Sequence, residues 1–179
     1  DIIGNLPALS GALQSSTIAD VARGIMTTDL FPKVRSINIG EGRICAIAKG
    51  AGMIEPNMAT LLVFILTDIK IERSELRRIH ARVIGETFNR ISIDSDQSTS
   101  DMALLLSSGK RPPVDSEDFT QALFSVYASL AEDVVRNGEG TGHVIRAKVS
   151  GAPNEDLAVE LGKAVINSPL VKTAVFGDD

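Results

Sequence analysis

Thr60 is the residue whose position most suggests chemistry, because it stands where a glycine-bearing loop meets a nearly all-apolar stretch of chain. The loop spans residues 49–59 (KGAGMIEPNMA), and the apolar stretch that follows Thr60 spans residues 61–66 (LLVFIL). A buried strand rarely needs a hydroxyl at its first position, whereas a nucleophile held rigidly at the edge of a core does. Threonine is a weak nucleophile until a base removes its proton. A catalytic role for Thr60 therefore requires a base close to its hydroxyl.

The α-amine of Thr60 is the base that the sequence favours. No Ser-His-Asp arrangement is legible around His80 or His143, the two histidines of the chain. If the chain is cut between Ala59 and Thr60, the freed amine lies beside the hydroxyl of Thr60. An α-amine titrates at about pH 8, so a useful fraction can accept the hydroxyl proton at neutral pH. The cut can be self-made, since the hydroxyl can attack the Ala59 carbonyl and form an ester that water opens. From these residues alone, a structural threonine at the head of a strand is the commoner interpretation.

Composition argues against several classes of protein. The 179 residues are 44% hydrophobic and 23% charged, which is typical of one globular domain. A net charge of −5 and a pI of about 5.1 argue against general binding to nucleic acid or anionic membranes. No apolar run is long enough to span a bilayer. The single cysteine, Cys45, predicts no internal disulfide, and with two separated histidines it predicts no zinc site.

Two polar segments resemble binding loops but lack the residues that metal or phosphate binding needs. Residues 94–101 (DSDQSTSD) carry three aspartates without the central glycine and closing glutamate of an EF-hand loop. A loop that hydrogen-bonds its own backbone is the better interpretation. Residues 137–142 (NGEGTG) lack the Gly-Lys-Ser/Thr ending of a phosphate loop and precede a predicted strand. Neither segment predicts a metal site.

Alternating helical and strand patterns predict an α/β fold, and a hairpin signal predicts that its sheet is mixed. The predicted helices are two short ones within residues 1–30, then 74–90, 115–137 and 154–165. The predicted strands are a hairpin over 33–48, then 60–71, 91–93, 143–149 and 172–177. Residues 60–71 are apolar on both faces, so we expect them to form a central strand. His80 is expected to be a packed or surface histidine of its helix.

Four segments resemble the ornithine acetyltransferase (bifunctional glutamate N-acetyltransferase) family. Residues 49–61 (KGAGMIEPNMATL) resemble its cleavage-site signature, which is specific. Three further segments agree with the family in order: residues 25–33, whose MTTD and PK resemble an upstream block, residues 92–109, which resemble its aspartate-rich loop, and residues 163–177, which resemble its late block. The resemblance covers essentially the whole chain.

The resemblance implies a self-cleaving enzyme with an α/β fold of the DmpA–ornithine acetyltransferase type, with mixed sheets and layered helices. Such enzymes move an acetyl group from N-acetylornithine to glutamate by a ping-pong route in arginine biosynthesis. Cleavage would fall between Ala59 and Thr60, and Thr60 would carry the acetyl group. Lys49 matches a substrate-binding lysine that would pair with a carboxylate, and Glu139 matches a glutamate that would face an amino group. No cofactor is implied, although acetyl-CoA is a further candidate acetyl donor.

The resemblance also implies how the chain would be divided and assembled. Residues 1–179 form one domain-sized portion, in which 1–59 would end an alpha fragment and 60–179 would begin a beta fragment. The fragments would pair and then dimerise into a heterotetramer, in the cytoplasm or in an organelle of a eukaryote. The family's oxyanion-hole Thr-Gly pair and its C-terminal substrate-binding residues are expected to lie outside the sequence. Two alternatives stay open, namely a DmpA-like self-processing aminopeptidase or amidohydrolase and a non-catalytic association domain.

Overall fold

Helices and strands alternate along the part of the chain that the computed structural model describes, which is residues 3–4, 7–8, 18–54, 61–96 and 101–179. The strands are β1 (Lys33–Ile39), β2 (Gly42–Lys49), β3 (Leu62–Ile69) and β4 (Met102–Arg111). The helices are α1 (Ile18–Gly24), α2 (Arg73–Glu86), α3 (Ser116–Arg136), α4 (Glu155–Ile166) and α5 (Pro169–Phe176), with a short 3₁₀ helix at Phe88–Arg90. The predicted α/β class is confirmed.

The strands form one four-stranded mixed sheet in the order β1-β2-β3-β4. The pairs β1–β2 and β2–β3 are antiparallel, while β3–β4 is parallel and is connected through α2. Gly40 makes the tight turn between β1 and β2 with a φ of 54°, a conformation that glycine adopts without steric cost. β3 is central as predicted. Val63 and Ile65 are fully buried beneath the helices, while Leu66 on the opposite face is 45% exposed.

Helix α3 covers the sheet with an apolar face that the sequence pattern predicts. The side chains of Phe119, Leu123 and Leu130 recur at helical spacing and are at most 1% exposed. Asp115 caps the helix, because its carboxylate accepts the first free backbone N–H groups. α3 packs against β1, β2 and α2, so the main core lies between this helix layer and one face of the sheet.

His80 ties α2 to α3 and β4. Its Nδ1 lies 2.6 Å from Tyr127 Oη, and its Nε2 lies 3.2 Å from the carbonyl oxygen of Ala103. Burial lowers the pKa of His80, which favours a neutral ring that accepts from Tyr127 and donates to Ala103. The histidine is therefore packed, as its helical context predicts.

The predicted strand over residues 172–177 is wrong, because most of these residues belong to α5. Ser168 Oγ accepts a hydrogen bond from Val171 N at 3.4 Å, and Pro169 is the first helical residue. Proline is well suited to that position, since the missing N–H would be unpaired there anyway. The Ser-Pro pair therefore ends α4 and starts another helix.

Two further predicted strands and one helix end also differ from the structure. Residues 143–149 lie along no described strand, so they form no sheet ladder. Residues 91–93 likewise belong to no described strand, although Ile93 N donates to Ile54 O at 2.6 Å. The helix predicted to reach residue 90 ends at Glu86, because Thr87 leaves the helical region of φ and ψ.

The first of the two helices predicted within residues 1–30 falls largely outside the described residues, and the second is α1. Among the helices that the structure describes, none has the length and apolar character needed to cross a membrane.

Candidate active site

The predicted cleavage junction, Ala59–Thr60, lies outside the described residues, but the chain on both sides of it is well placed. Ile54 is fully buried and Leu61 is 5% exposed, and both belong to the hydrophobic core. The antiparallel register pairs Lys49 with Leu62. The described residues on either side of the junction, Ile54 and Leu61, therefore both lie in the core, and β3 begins beside the end of β2 that carries Lys49.

Two aspartates hold the backbone on either side of that junction. The carboxylate of Asp94 accepts hydrogen bonds from Met53 N at 2.5 Å and from Ile54 N at 2.9 Å. On the other side, Asp101 Oδ1 accepts from Leu61 N at 2.6 Å. Both aspartates belong to the segment 94–101, so one loop clamps both ends of the predicted cleavage segment. The loop also bonds its own backbone as predicted, from Asp96 N to Asp94 Oδ1 at 3.2 Å, but sequence reasoning missed its clamp on the cleavage segment.

Asp101 has unusual electrostatics for a residue so close to the predicted nucleophile. Burial raises the pKa of its carboxyl, and the hydrogen bond from Leu61 N only partly offsets this effect. Its Oδ2 is buried and has no hydrogen-bond partner among the described residues. Asp101 thus places beside the amide of Leu61 a buried carboxyl group that has a hydrogen-bond partner for only one of its two oxygens.

Lys49 is a buried cation and not a solvated loop lysine. It is the last residue of β2, it is 8% exposed, and its Nζ donates to Thr27 Oγ1 at 3.0 Å. Across the described ranges, no carboxylate forms a salt bridge with it. A buried charge with only a neutral partner is costly until an opposite charge joins it. The position of Lys49 therefore suits a ligand carboxylate.

Glu139 reaches the same glycine loop from the far end of α3. Its backbone N donates to Ala51 O at 2.7 Å. A Cβ placed on Gly52 would lie 3.1 Å from both Cδ and Oε1 of Glu139, so the carboxylate lies directly over that glycine. The structure thus brings both described residues that were predicted to bind substrate, Lys49 and Glu139, to one loop.

A buried ion pair lies behind this loop. Asp29 Oδ1 accepts hydrogen bonds from Lys33 Nζ at 2.5 Å and from Gly50 N at 2.8 Å, and Asp29 Oδ2 accepts from Thr27 N at 3.1 Å. Asn137 Nδ2 lies 3.5 Å from Asp29 Oδ1. The side chains of Asp29 and Lys33 are both 0% exposed. These contacts join residues from three distant parts of the chain.

The hydrogen bonds keep Asp29 ionised despite its burial. Burial alone would raise the pKa of this carboxyl, but the bonds from Lys33, Gly50 and Thr27 outweigh it and hold the pKa below its usual range. Burial lowers the pKa of Lys33, and the contact with Asp29 opposes that shift. Because Asp29 is already paired with Lys33, it does not neutralise the charge of Lys49.

A cavity of about 590 Å³ lies between α3, residues 139–149 and the two C-terminal helices. Glu139 lines it and Lys49 does not, so the loop and not this cavity joins the two predicted substrate-binding residues. In the described ranges, no group of three or more His, Cys, Asp or Glu side chains is arranged to hold a metal ion.

The fold and the loop define a mixed α/β protein in which one segment, clamped by aspartates, joins two paired strands beside a buried lysine and a glutamate. The chain belongs to the ArgJ family, whose model matches residues 1–179. The resemblance found in the sequence is thereby confirmed.

Similar proteins agree with this assignment. The chain is 46% identical over 158 residues to "Glutamate N-acetyltransferase Oat2" of Streptomyces clavuligerus, covering 88% of this chain and 40% of that protein. It is 46% identical over 174 residues to "Arginine biosynthesis bifunctional protein ArgJ 2" of Nostoc sp., covering 96% of this chain and 45% of that protein. The chain therefore spans about half the length of the curated relatives it matches.

A solved structure shares the fold. The crystal structure of arginine biosynthesis bifunctional protein ArgJ from Bacillus halodurans is 36% identical in sequence and superimposes with a TM-score of 0.61. The match covers 65% of this chain and 58% of that one. The ornithine acetyltransferase-like fold expected from the sequence is confirmed by this likeness.

Proposed function

We propose that the protein is a self-cleaving glutamate N-acetyltransferase of arginine biosynthesis, which moves an acetyl group from N2-acetylornithine to glutamate through acetyl-Thr60. Membership in the ArgJ family supports this, as do the names of its relatives. The observation that carries the proposal is the clamp formed by Asp94 and Asp101 on either side of the junction, together with the buried Lys49, which forms no salt bridge with any described carboxylate.

Self-cleavage would use the hydroxyl of Thr60 and one water molecule. The Thr60 oxygen attacks the Ala59 carbonyl carbon, the peptide C–N bond breaks, and the nitrogen takes a proton to become a free amine. Water then hydrolyses the ester, which leaves a carboxylate on Ala59 and restores the Thr60 hydroxyl. The hydrogen bonds at Ile54 and Leu61 hold the residues that flank the segment, which would lower the entropic cost of an intramolecular attack.

Acetyl transfer would then proceed in two halves at the same oxygen. The Thr60 amine accepts the hydroxyl proton as the oxygen attacks the acetyl carbonyl of N-acetylornithine, and it returns that proton to the departing ornithine amine. The amine of glutamate next attacks the acetyl ester, the C–O bond to Thr60 breaks, and the proton lost by the glutamate nitrogen passes through the Thr60 amine to the Thr60 oxygen. The Lys49 ammonium would pair with the α-carboxylate of each substrate, and Glu139 would face an amino group.

The proposal extends to donor, assembly and location. Acetyl-CoA is a second candidate donor for the same oxygen and would act as a substrate, with no further cofactor. The fragments ending at residue 59 and beginning at residue 60 would stay paired and form a heterotetramer. Extensive contacts cross that boundary, because β2 and β3 lie on opposite sides of it and pair along their length. The expected location is the cytoplasm, or an organelle in a eukaryote.

Intact mass spectrometry of the complete protein tests the proposal. We expect two fragments divided before Thr60, and after incubation with N-acetylornithine we expect the mass of one acetyl group on the second fragment. Thr60→Ala should stay uncut and unlabelled. Thr67→Ala, which removes another hydroxyl from the same strand region, should be cut and labelled. An uncut wild-type chain without an adduct would contradict the proposal.

An acceptor assay separates transfer from hydrolysis. With N-acetylornithine present, added glutamate should accelerate the release of ornithine and should appear as N-acetylglutamate. Release that is indifferent to glutamate would indicate a self-processing hydrolase, which passes the acyl group to water. If Thr60→Ala changes neither cleavage nor turnover, the catalytic role of Thr60 is wrong.

A further inference from the structure

The Asp29 carboxylate is connected to Lys49 by two short routes. Along one, Asp29 Oδ2 accepts from Thr27 N at 3.1 Å, and Thr27 Oγ1 accepts from Lys49 Nζ at 3.0 Å. Along the other, Asp29 Oδ1 accepts at 2.8 Å from the N–H of Gly50, the residue after Lys49. One buried carboxylate therefore helps to fix both the ammonium of Lys49, through Thr27, and the backbone that follows Lys49, through Gly50.

A third route leads to Glu139 from residues 27–30, which we call the Asp29 turn. Asn137 is fully buried at the end of α3, its Oδ1 accepts from Leu30 N at 2.9 Å, and its Nδ2 lies 3.5 Å from Asp29 Oδ1. Two residues later, the N–H of Glu139 bonds to Ala51 O at 2.7 Å. The Asp29 turn thus contacts Asn137, the first residue of the turn at 137–139 (the Glu139 turn). It also contacts Gly50, in the loop that follows Lys49.

Lys33 supplies the positive charge that balances the buried carboxylate of Asp29. It pairs with Asp29 at 2.5 Å in a fully buried contact, so Asp29 accepts from backbone amides without attracting the Lys49 ammonium into a salt bridge. Lys49 is held instead by the neutral hydroxyl of Thr27, which leaves its ammonium open to a ligand carboxylate. An ordinary capping turn would need only a carboxylate, and not a buried counter-ion behind it.

We propose that Asp29 is a positioning residue, which orients Lys49 and, through Asn137, the Glu139 turn for binding of the substrate carboxylate and amino group. This inference rests on the proposed function of Lys49 and Glu139. Asp29 touches no reacting atom and acts only through these two residues. Its loss should therefore weaken substrate binding while self-cleavage at Thr60 continues.

Asp29→Asn in the complete protein is the primary test, with KM and kcat measured for N-acetylornithine and for glutamate. Hydrogen bonds to a charged group are strong enough that their loss should raise KM about tenfold, with kcat changed by less than about threefold. Asp68→Asn is the matched control. Asp68 accepts from Arg43 N at 2.7 Å at the opposite end of β2, and its loss should leave KM unchanged.

A double-mutant cycle separates positioning from a general structural effect. In a Lys49→Met background, Asp29→Asn should raise KM by about threefold or less, because only Glu139 remains of the two residues through which it acts. A full tenfold effect in that background, or no effect in the wild-type background, would overturn the proposal. Thr27→Val keeps the test decisive if Asp29→Asn does not fold. Thr27 is exposed, and loss of its hydroxyl should also raise KM severalfold.

Hydrogen exchange provides a readout that does not depend on acetyl transfer. Asp29→Asn should speed exchange at the amides of Gly50 and Glu139 at least tenfold, while Asp68→Asn should not. If the wild-type protein transfers no acetyl group but this exchange pattern appears, the proposed function is wrong and the positioning role stands. If transfer occurs and exchange at both amides stays unchanged, the positioning role is wrong.

Discussion

Gly52→Ala tests the geometry of the loop, because a single methyl group would fall on the Glu139 carboxylate. The added Cβ would lie 3.1 Å from Glu139 Cδ and Oε1, which is closer than ordinary van der Waals contact, so the carboxylate must move by a few tenths of an ångström. The backbone of Gly52 is not in the left-handed region, so alanine adds no conformational strain there. The perturbation is therefore confined to the position of one functional group.

The expected effect follows from Coulomb's law. Lengthening an ion pair from about 3.0 to 3.5 Å at an effective dielectric constant of about 20 weakens it by about 0.8 kcal/mol. Because Glu139 is exposed, solvent screening reduces this figure, so we expect KM for the amino-group-bearing substrate to rise about two- to threefold. Stability should not fall, since replacing glycine by alanine at a compatible site gains about 0.4–1 kcal/mol from the unfolded chain.

Steady-state kinetics and thermal unfolding of Gly52→Ala should be compared with those of Gly85→Ala. Gly85 lies in α2, and a Cβ there would meet nothing within 4 Å. That variant should keep its KM and gain slightly in stability, since alanine favours the helix. An unchanged KM in Gly52→Ala would refute the placement of Glu139 over the loop. A lowered melting temperature would show that the contact bears on folding and not on binding alone.

Three further predictions concern the side chains of Tyr127, Asp29 and Cys45. Tyr127→Phe removes the hydroxyl that donates to His80 Nδ1, so it should lower the free energy of unfolding in urea by about 1–2 kcal/mol, and a change near zero would contradict the hydrogen bond. The folded pKa of Asp29 lies below its usual value, so its stabilising effect is present above about pH 4 and is lost as the pH falls further. The stability difference between wild type and Asp29→Asn should therefore narrow in urea titrations from about pH 7 to pH 3. Burial raises the pKa of Cys45, so a disulfide reagent should modify it slowly in the native protein at neutral pH and much faster in denaturant, and equal rates would show that the thiol is open.

Local patterns were sufficient for the elements whose formation depends on neighbouring residues. The spacing of apolar residues predicted α3 to within a residue at each end. Gly40 and the alternation around it predicted the β1–β2 hairpin, because its turn forms within a few residues. Asn154 predicted the start of α4, where its side chain accepts from Leu157 N at 2.9 Å. Each of these features is decided by contacts over a few positions.

Strand assignments failed where a partner was needed that no local pattern can supply. Residues 143–149 have strand-like composition, but a strand exists only when its backbone groups pair with another, and the described residues offer no such ladder. Ser168 and Pro169 mark a break in helical periodicity, yet the same two residues also suit the start of a helix. The sequence pattern was compatible with either outcome there, and in the structure Ser168 caps a helix that begins at Pro169.

By itself, the sequence determined the α/β class, the family and the identity of Thr60, Lys49 and Glu139 as candidate site residues, because these depend on residue types and on short ordered motifs. Only the tertiary structure decided what holds them. The clamps of Asp94 and Asp101 on the junction join residues about 40 positions apart, and the contact of Asp29 with Asn137 joins residues 108 positions apart. The sequence shows that a residue is an aspartate but not whether its carboxylate faces water or a buried amide. Only the folded structure identifies its hydrogen-bond partner.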